Sequence, residues 1–273
     1  MLDVDSHKKY GEILEEAGEL LDSYVIPIFC LDKFERPEME GTGFFLEHNL
    51  RIYFITASHV IDVIQSTNSR FVIAMNTEMF SLPLSGSKRT VNTEDEVADS
   101  QFDLAAIPVS PKFDYYEQCL KLAIPLNKTT LSKSFLKVDM QILQGFPSSK
   151  NKTAKCLDNN TKHFSGGLWT YSFNFSDNCD YPSFNKIKGS HYPIHWPKKV
   201  QGQKIQGKEI QPQGQIGVHP RGCSGGPYWF IPDKSKINEF YLAGVFIEYY
   251  EQYEIAFVTK IEHVIELVEQ FDA

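Results

Sequence analysis

Gly222-Cys223-Ser224-Gly225-Gly226-Pro227 is the stretch that most restricts what this chain can become. Glycines crowded around one serine mark a backbone that adopts torsions a side chain would forbid and lets another group approach closely. In acyl transfer such a turn has a use. The amides of Gly222 and Ser224 can converge on one point and hold an oxyanion while the Ser224 hydroxyl attacks. Taken alone, a Gly-Ser-Gly run is also an ordinary turn or linker, so a base and its orienting acid must be sought upstream.

Both are there. Residues 51–62 form an apolar, strand-like run that carries Thr56-Ala57-Ser58-His59, and Asp103-Leu104-Ala105 opens a second apolar run. The chain order His, Asp, Ser differs from the subtilisin and α/β-hydrolase orders. With these residues the sequence resembles the chymotrypsin-like serine proteases, in their intracellular or bacterial form, close to an HtrA-type protease domain without a PDZ-like segment. Thr56 to His59 is similar to the family's T-A-A-H box, Asp103 to Ala105 to its D-[IL]-A box, and Gly222 to Pro227 to its G-x-S-G-G-P box. Ala256 to Ile261 is similar to its last strand before a C-terminal helix. The matches span residues 41–270.

The resemblance implies an all-β fold: two six-stranded antiparallel β-barrels with an N-terminal and a C-terminal α-helix. The expected division is a helix over 1–24, a first lobe over 25–125 carrying His59 and Asp103, and a second over 126–273 carrying Ser224. It also implies roles. Ser224 is the nucleophile, His59 the general base and then acid, Asp103 the residue that fixes the His59 tautomer, and the Gly222 and Ser224 amides the oxyanion hole. The implied activity is that of a serine endopeptidase working through an acyl-enzyme; a site latent until a partner or substrate orders it is a further reading. The alternative is a catalytically silent module of the same fold that binds or senses; three intact boxes argue against it.

Local patterns give the elements. Tyr10, Ile13, Leu14, Ala17, Leu20, Leu21 and Tyr24 recur at helical spacing opposite Glu12, Glu15, Glu16 and Glu19, which predicts an amphipathic helix over 8–24 packed on the body. Strands are expected at 25–31, at 44–47 and 51–56 as a hairpin turning at His48-Asn49, and at 71–75, 103–109, 136–143 and 169–175. Further strands fall at 228–231, 241–247 and 255–259, with a helix at 262–271. Residues 85–101 read as a polar loop, 110–135 as a crossover, and 176–215, rich in Pro, Gly, Gln, Lys and His, as long loops.

A chain of 273 residues with a net charge of −8 can bury a sizeable core, and its charge disfavours nonspecific nucleic-acid binding. Its first residues lack the apolar region of a secretory leader, and no run reaches membrane-spanning length. The five cysteines, Cys30, Cys119, Cys156, Cys179 and Cys223, are scattered without a C-x-x-C pair and read as reduced thiols in a cytoplasm. No cofactor is expected. The expected partners are a protein or peptide substrate and a regulatory protein, with neither nucleic acid nor membrane.

Several positions depart from the family or extend it. Cys223 stands where activated trypsin-type zymogens have an Asp that pairs with a new N-terminus. A thiol cannot replace that ion-pair partner, so no such switch is expected. Viral cysteine proteases on this fold place Cys in the nucleophile position, but here the paired glycines follow Ser224, and Cys223 reads as a packing residue. By counting, Val218 floors the specificity pocket beside His219, with walls from Ile247, Glu248, Tyr249 and Ala256. A neutral P1 side chain is the default, and His219 pairing with an acidic P1 is the alternative. Lys186, Lys188, Lys198, Lys199, Lys204 and Lys208 form a basic stretch that is either a solvated loop or a contact for an acidic partner. His191 and His195 are separated by Pro193, and no metal is expected.

Overall fold

The computed structural model describes residues 4–31, 36–67, 69–76, 78–90, 101–133, 135, 137–152, 166–173, 175–176, 179–198, 203–205, 208–211 and 218–272. The amphipathic helix forms as α1 (Val4–Leu21). Its Ala17 and Leu21 are buried in a core shared by both halves of the chain, while Glu12, Glu15, Glu16 and Glu19 face solvent. Leu20 stays largely exposed, so the apolar stripe is narrower than the spacing suggests.

The first half builds one sheet from β1 (Ile26–Leu31), β2 (Pro37–His48), β3 (Arg51–Ala57), β4 (Arg70–Met75), β5 (Glu78–Ser81), β6 (Lys88–Arg89), β7 (Leu104–Val109) and β8 (Ala123–Pro125). The strand order is β5-β4-β1-β2-β3-β7-β6, with β8 running parallel to β2. The β2–β3 hairpin turns through Asn49 and Leu50, both at positive φ, as a two-residue turn demands. The second half builds β9 (Met140–Gly145), β10 (Trp169–Ser172), β11 (His191–His195), β14 (Pro227–Ile231), β15 (Tyr241–Tyr250) and β16 (Ile255–Lys260), ordered β10-β9-β14-β15-β16-β11. Between β11 and β14, β12 (Gln203–Ile205) and β13 (Lys208–Gln211) form a separate two-stranded sheet.

The architecture is therefore mostly β, in two sheets whose pairings are antiparallel except for β8. Among the described residues no pairing joins the ends of either sheet, so neither is a closed six-stranded barrel. The first has eight strands because β6 and β8, two and three residues long, are too short to leave an alternating pattern. Two further corrections concern local structure. The strand expected at 51–56 forms as β3, but a helix not expected from sequence, α2 (Ser58–Ser66), follows it directly, with His59 in its first turn. The region 176–215 is not all loop, because β11 pairs with β16 along its full length. Pro193 disguised it: proline is tolerated there because β11 is an edge strand.

Among the described residues two more α-helices follow, α3 (Tyr116–Leu122) and α4 (Ile261–Glu269). Ile261, Val264, Ile265 and Val268 of α4 enter the shared core with Phe44 and Ile55 of the first sheet and Ile142 and Trp229 of the second. Burial of this many apolar side chains between the sheets, each worth about 1.5–3 kcal/mol, fixes the two halves against each other. Among the described residues no helix is long and apolar enough to cross a membrane.

Candidate active site

Helix α2 begins with backbone N–H groups that its own turns cannot satisfy. Asp103 supplies acceptors from outside. Its carbonyl takes the Ser58 N–H at 3.0 Å and its Oδ1 takes the His59 N–H at 2.9 Å. The second carboxylate oxygen, Oδ2, lies 2.6 Å from His59 Nδ1. One side chain thus caps the helix, favours its positive end with a negative charge, and orients the imidazole. Asp103 reaches this position through a left-handed backbone (φ 50°), a conformation that Asp tolerates better than most residues. Burial opposes charge on the His59 imidazole. The hydrogen bond and charge of Asp103, with Glu248 and Asp62 adding, outweigh it and raise the His59 pKa above the ordinary imidazole value. Imidazole Nε2 remains the proton-accepting atom.

The glycine-rich turn is held by a different set of bonds. Thr42, buried in β2, donates its hydroxyl to Gly222 O at 2.7 Å and receives the Phe146 N–H at 3.1 Å. The Thr42 N–H donates to Ser224 O at 2.8 Å, and the Thr56 hydroxyl donates to Thr42 O at 2.8 Å. From the second sheet, Gly225 N–H donates to Phe246 O and Phe246 N–H to Gly226 O, at 2.7 and 2.9 Å. Gly222 and Gly225 have φ of 93° and 86°. A Cβ on Gly222 would lie 2.6 Å from Phe146 O, and one on Gly225 2.1 Å from Thr42 O. Both positions require glycine twice over, for torsion and for space.

These bonds orient two peptides. Arg221 O accepts from Ser148 N–H at 2.7 Å, and Cys223 O accepts from Gly226 N–H at 2.8 Å. In a trans peptide the N–H points opposite to the carbonyl, so the Gly222 and Ser224 N–H groups are turned away from those contacts. Within the turn, Cys223, Gly225 and Gly226 donate their N–H groups to backbone oxygens. Among the described residues, Gly222 and Ser224 N–H have no protein acceptor. Two uncommitted donors flanking Cys223 are what an oxyanion site can draw on.

His59, Asp103 and Ser224 line one cleft of about 430 Å³ together with Ser58, Asp62, His219, Arg221 and Glu248. Among the described residues no hydrogen bond links Ser224 Oγ to His59; in enzymes such contacts often tighten only in the substrate complex. Of the pocket residues expected from sequence, His219, Ile247, Glu248 and Tyr249 do line the cleft. Val218 and Ala256 do not: Ala256 is buried in the ladder opposite Ile194 and Tyr249. His219 Nδ1 accepts the Arg221 N–H at 3.1 Å, which leaves Nε2 as its N–H donor, and its ring meets Tyr249 edge-on at 5.5 Å.

Cys223 is fully buried among Leu143, Tyr228 and Phe246, and burial pushes its thiol well above the usual range. It is a packing residue. Cys30, Cys119, Cys179 and Cys223 are free thiols, and Cys156 lies outside the described residues. The basic stretch is only partly solvated. Lys186 is buried in the cleft wall, 3.1 Å from Glu248 Oε2, and Lys198 and His195 face Glu251 and Glu254. The side chains of Lys199, Lys204 and Lys208 fall outside the described residues. His191 is bonded to backbone and is not grouped with His195 or Cys179 as a metal site; the one such group among the described residues is Cys30, Glu38 and Glu40.

Sequence reasoning missed Thr42, the Ser148 contact and the Lys186–Glu248 pair. Thr42 lies between two glycines, Gly41 and Gly43, and that spacing was its signal. The other two depend on chain crossings that leave no local pattern. Compared with known proteins, the chain matches no protein-family model and no curated protein.

Proposed function

We propose that this chain is a serine endopeptidase of the chymotrypsin-like kind. The observation that carries the reading is the placement of His59, Asp103 and Ser224 in one cleft, with His59 and Asp103 paired and the Gly222 and Ser224 amides of the adjoining turn uncommitted. Ser224 Oγ attacks a substrate carbonyl carbon and passes its proton to His59 Nε2. Asp103 stabilises the imidazolium, and the Gly222 and Ser224 N–H groups take the oxyanion. Collapse breaks the scissile C–N bond, with His59 returning the proton to the leaving amine. Water, deprotonated by His59, then hydrolyses the acyl-enzyme and restores Ser224. The two sheets stand for the two lobes of that fold. A neutral P1 side chain remains the default reading, set by Ile247 and Tyr249, and the site of action is a cytoplasm.

The missing hydrogen bond between Ser224 and His59 favours a second reading, latency: a substrate or partner brings the two side chains together. The experiment is hydrolysis of an unfolded polypeptide such as casein, and of an activated peptide ester, by the wild type, Ser224→Ala and His59→Ala. Turnover confined to the wild type supports the endopeptidase. Ester turnover without casein cleavage supports latency toward protein substrates. Equal turnover in wild type and Ser224→Ala refutes both.

A further inference from the structure

The loop that delivers Asp103 is tied to the opposite half of the molecule. Residues 101–103 lie outside any strand, and Asp103 itself is left-handed. Something other than a sheet ladder must fix them. Gln101 O accepts from His191 Nε2–H at 3.0 Å, with Lys186 Nζ at 3.4 Å from the same oxygen. Gln101 Nε2 donates to Asn185 Oδ1 at 3.1 Å, and Phe102 O accepts the Thr259 hydroxyl at 2.7 Å. The Phe102 ring lies between two imidazoles, His191 at 5.9 Å and His263 at 4.2 Å, both nearly parallel to it. All of these groups come from the second half of the chain, whereas His59 and Asp103 come from the first.

We infer that His191 is a positioning residue: it clamps the Gln101–Asp103 loop so that the Asp103 carboxylate meets His59. This rests on the reading of His59 and Asp103 as catalytic partners. The chemistry of His191 suits the task. At 1% exposure it is sealed from water, with Nε2–H donating to Gln101 O and Nδ1 lying 3.2 Å from Ile187 N and 3.1 Å from Ile187 O. Burial holds its pKa down to about 4 against the opposing hydrogen bonds to Ile187 and Gln101, with Lys186 and His263 also disfavouring charge, so the ring stays neutral through neutral pH. Displacements of an ångström at such a contact cost enzymes roughly 10²-fold in rate.

The test compares His191→Phe, His191→Asn and His191→Gln with the wild type by three measurements: urea unfolding, the far-downfield proton resonance of the His59 Nδ1–H, and the rate of labelling by a fluorophosphonate. Asp103→Ala identifies the resonance by abolishing it. His191→Phe, which keeps a ring but no donor, is expected to fold, to lose or shift the resonance, and to label roughly 10–100-fold more slowly. His191→Gln, whose longer amide can still reach Gln101 O, is expected to recover both signals in part, and His191→Asn is not. Should His191→Phe not fold, the contrast between Gln and Asn carries the test. A folded His191→Phe or His191→Asn with an unchanged resonance overturns the proposal. A resonance that responds as expected, in a wild type that never labels, would keep the positioning role and leave of the endopeptidase only its latent form.

Discussion

Thr42→Val removes one oxygen from the point where the two halves of the molecule meet at the nucleophile turn. The side chain keeps its shape, and its surroundings are fully buried. Two hydrogen bonds disappear, the one given to Gly222 O and the one received from Phe146 N–H, at 2.7 and 3.1 Å. A buried polar group that loses its partner costs about 1–3 kcal/mol, so the two together predict about 2–6 kcal/mol of destabilisation. For a chain of this size that is a fall in Tm of roughly 4–24 °C. Thr42→Ser keeps the oxygen and loses only a methyl group, and is expected to fall about 1 kcal/mol or less below the wild type. Urea unfolding measures the stability of all three proteins. Fluorophosphonate labelling measures the site. Because Gly222 O anchors the peptide adjoining the oxyanion donor, Thr42→Val should label roughly tenfold more slowly or worse; outright loss of such a donor costs about 10²–10³. A Val variant as stable as the Ser variant, labelling at the wild-type rate, would refute the reasoning that Thr42 holds the turn.

Three other outcomes follow from the same geometry. The base must be neutral to accept a proton, and Asp103 raises the His59 pKa; labelling should therefore rise with pH through a midpoint above 6.5, and Asp103→Asn should lower that midpoint and slow labelling by roughly 10³–10⁴-fold. His191 has its folded pKa depressed to about 4, so the unfolded chain binds the extra proton below pH 6.5. The associated stability is present above that pH and is lost as pH falls toward 4, by about 3 kcal/mol in all; the urea midpoint of His191→Gln should fall less steeply over that window. Cys223→Ala should label as the wild type does, and Cys223 in the native protein should resist iodoacetamide until urea unfolds it.

How much of this was legible in the sequence depended on whether a feature is local. The glycine turn and α1 could be read because torsional demand and periodicity are written in consecutive residues, and the His59 and Asp103 positions because their short boxes resemble those of a known family. Helix α2 was hidden because Val60, Ile61, Val63 and Ile64 continue the apolar run of β3 without a break. What ends the strand there is Asp103, forty-odd residues later, capping the new helix. Strand β11 was hidden by Pro193, whose meaning depends on which strand lies at the sheet edge. Lys186 read as part of a solvated basic run because its partner, Glu248, lies far along the chain on β15. The specificity pocket was half legible: counting back from Ser224 found His219, but Val218 and Ala256 depended on which way their side chains turn.

The most direct test of the account is the site of covalent modification by diisopropyl fluorophosphate, read by intact mass and peptide mapping, with His59→Ala and Cys223→Ala alongside. The account predicts one adduct, on Ser224, formed by the wild type and Cys223→Ala and absent from His59→Ala. An adduct on another residue, or equal modification of Ser224 when His59 is missing, would contradict it.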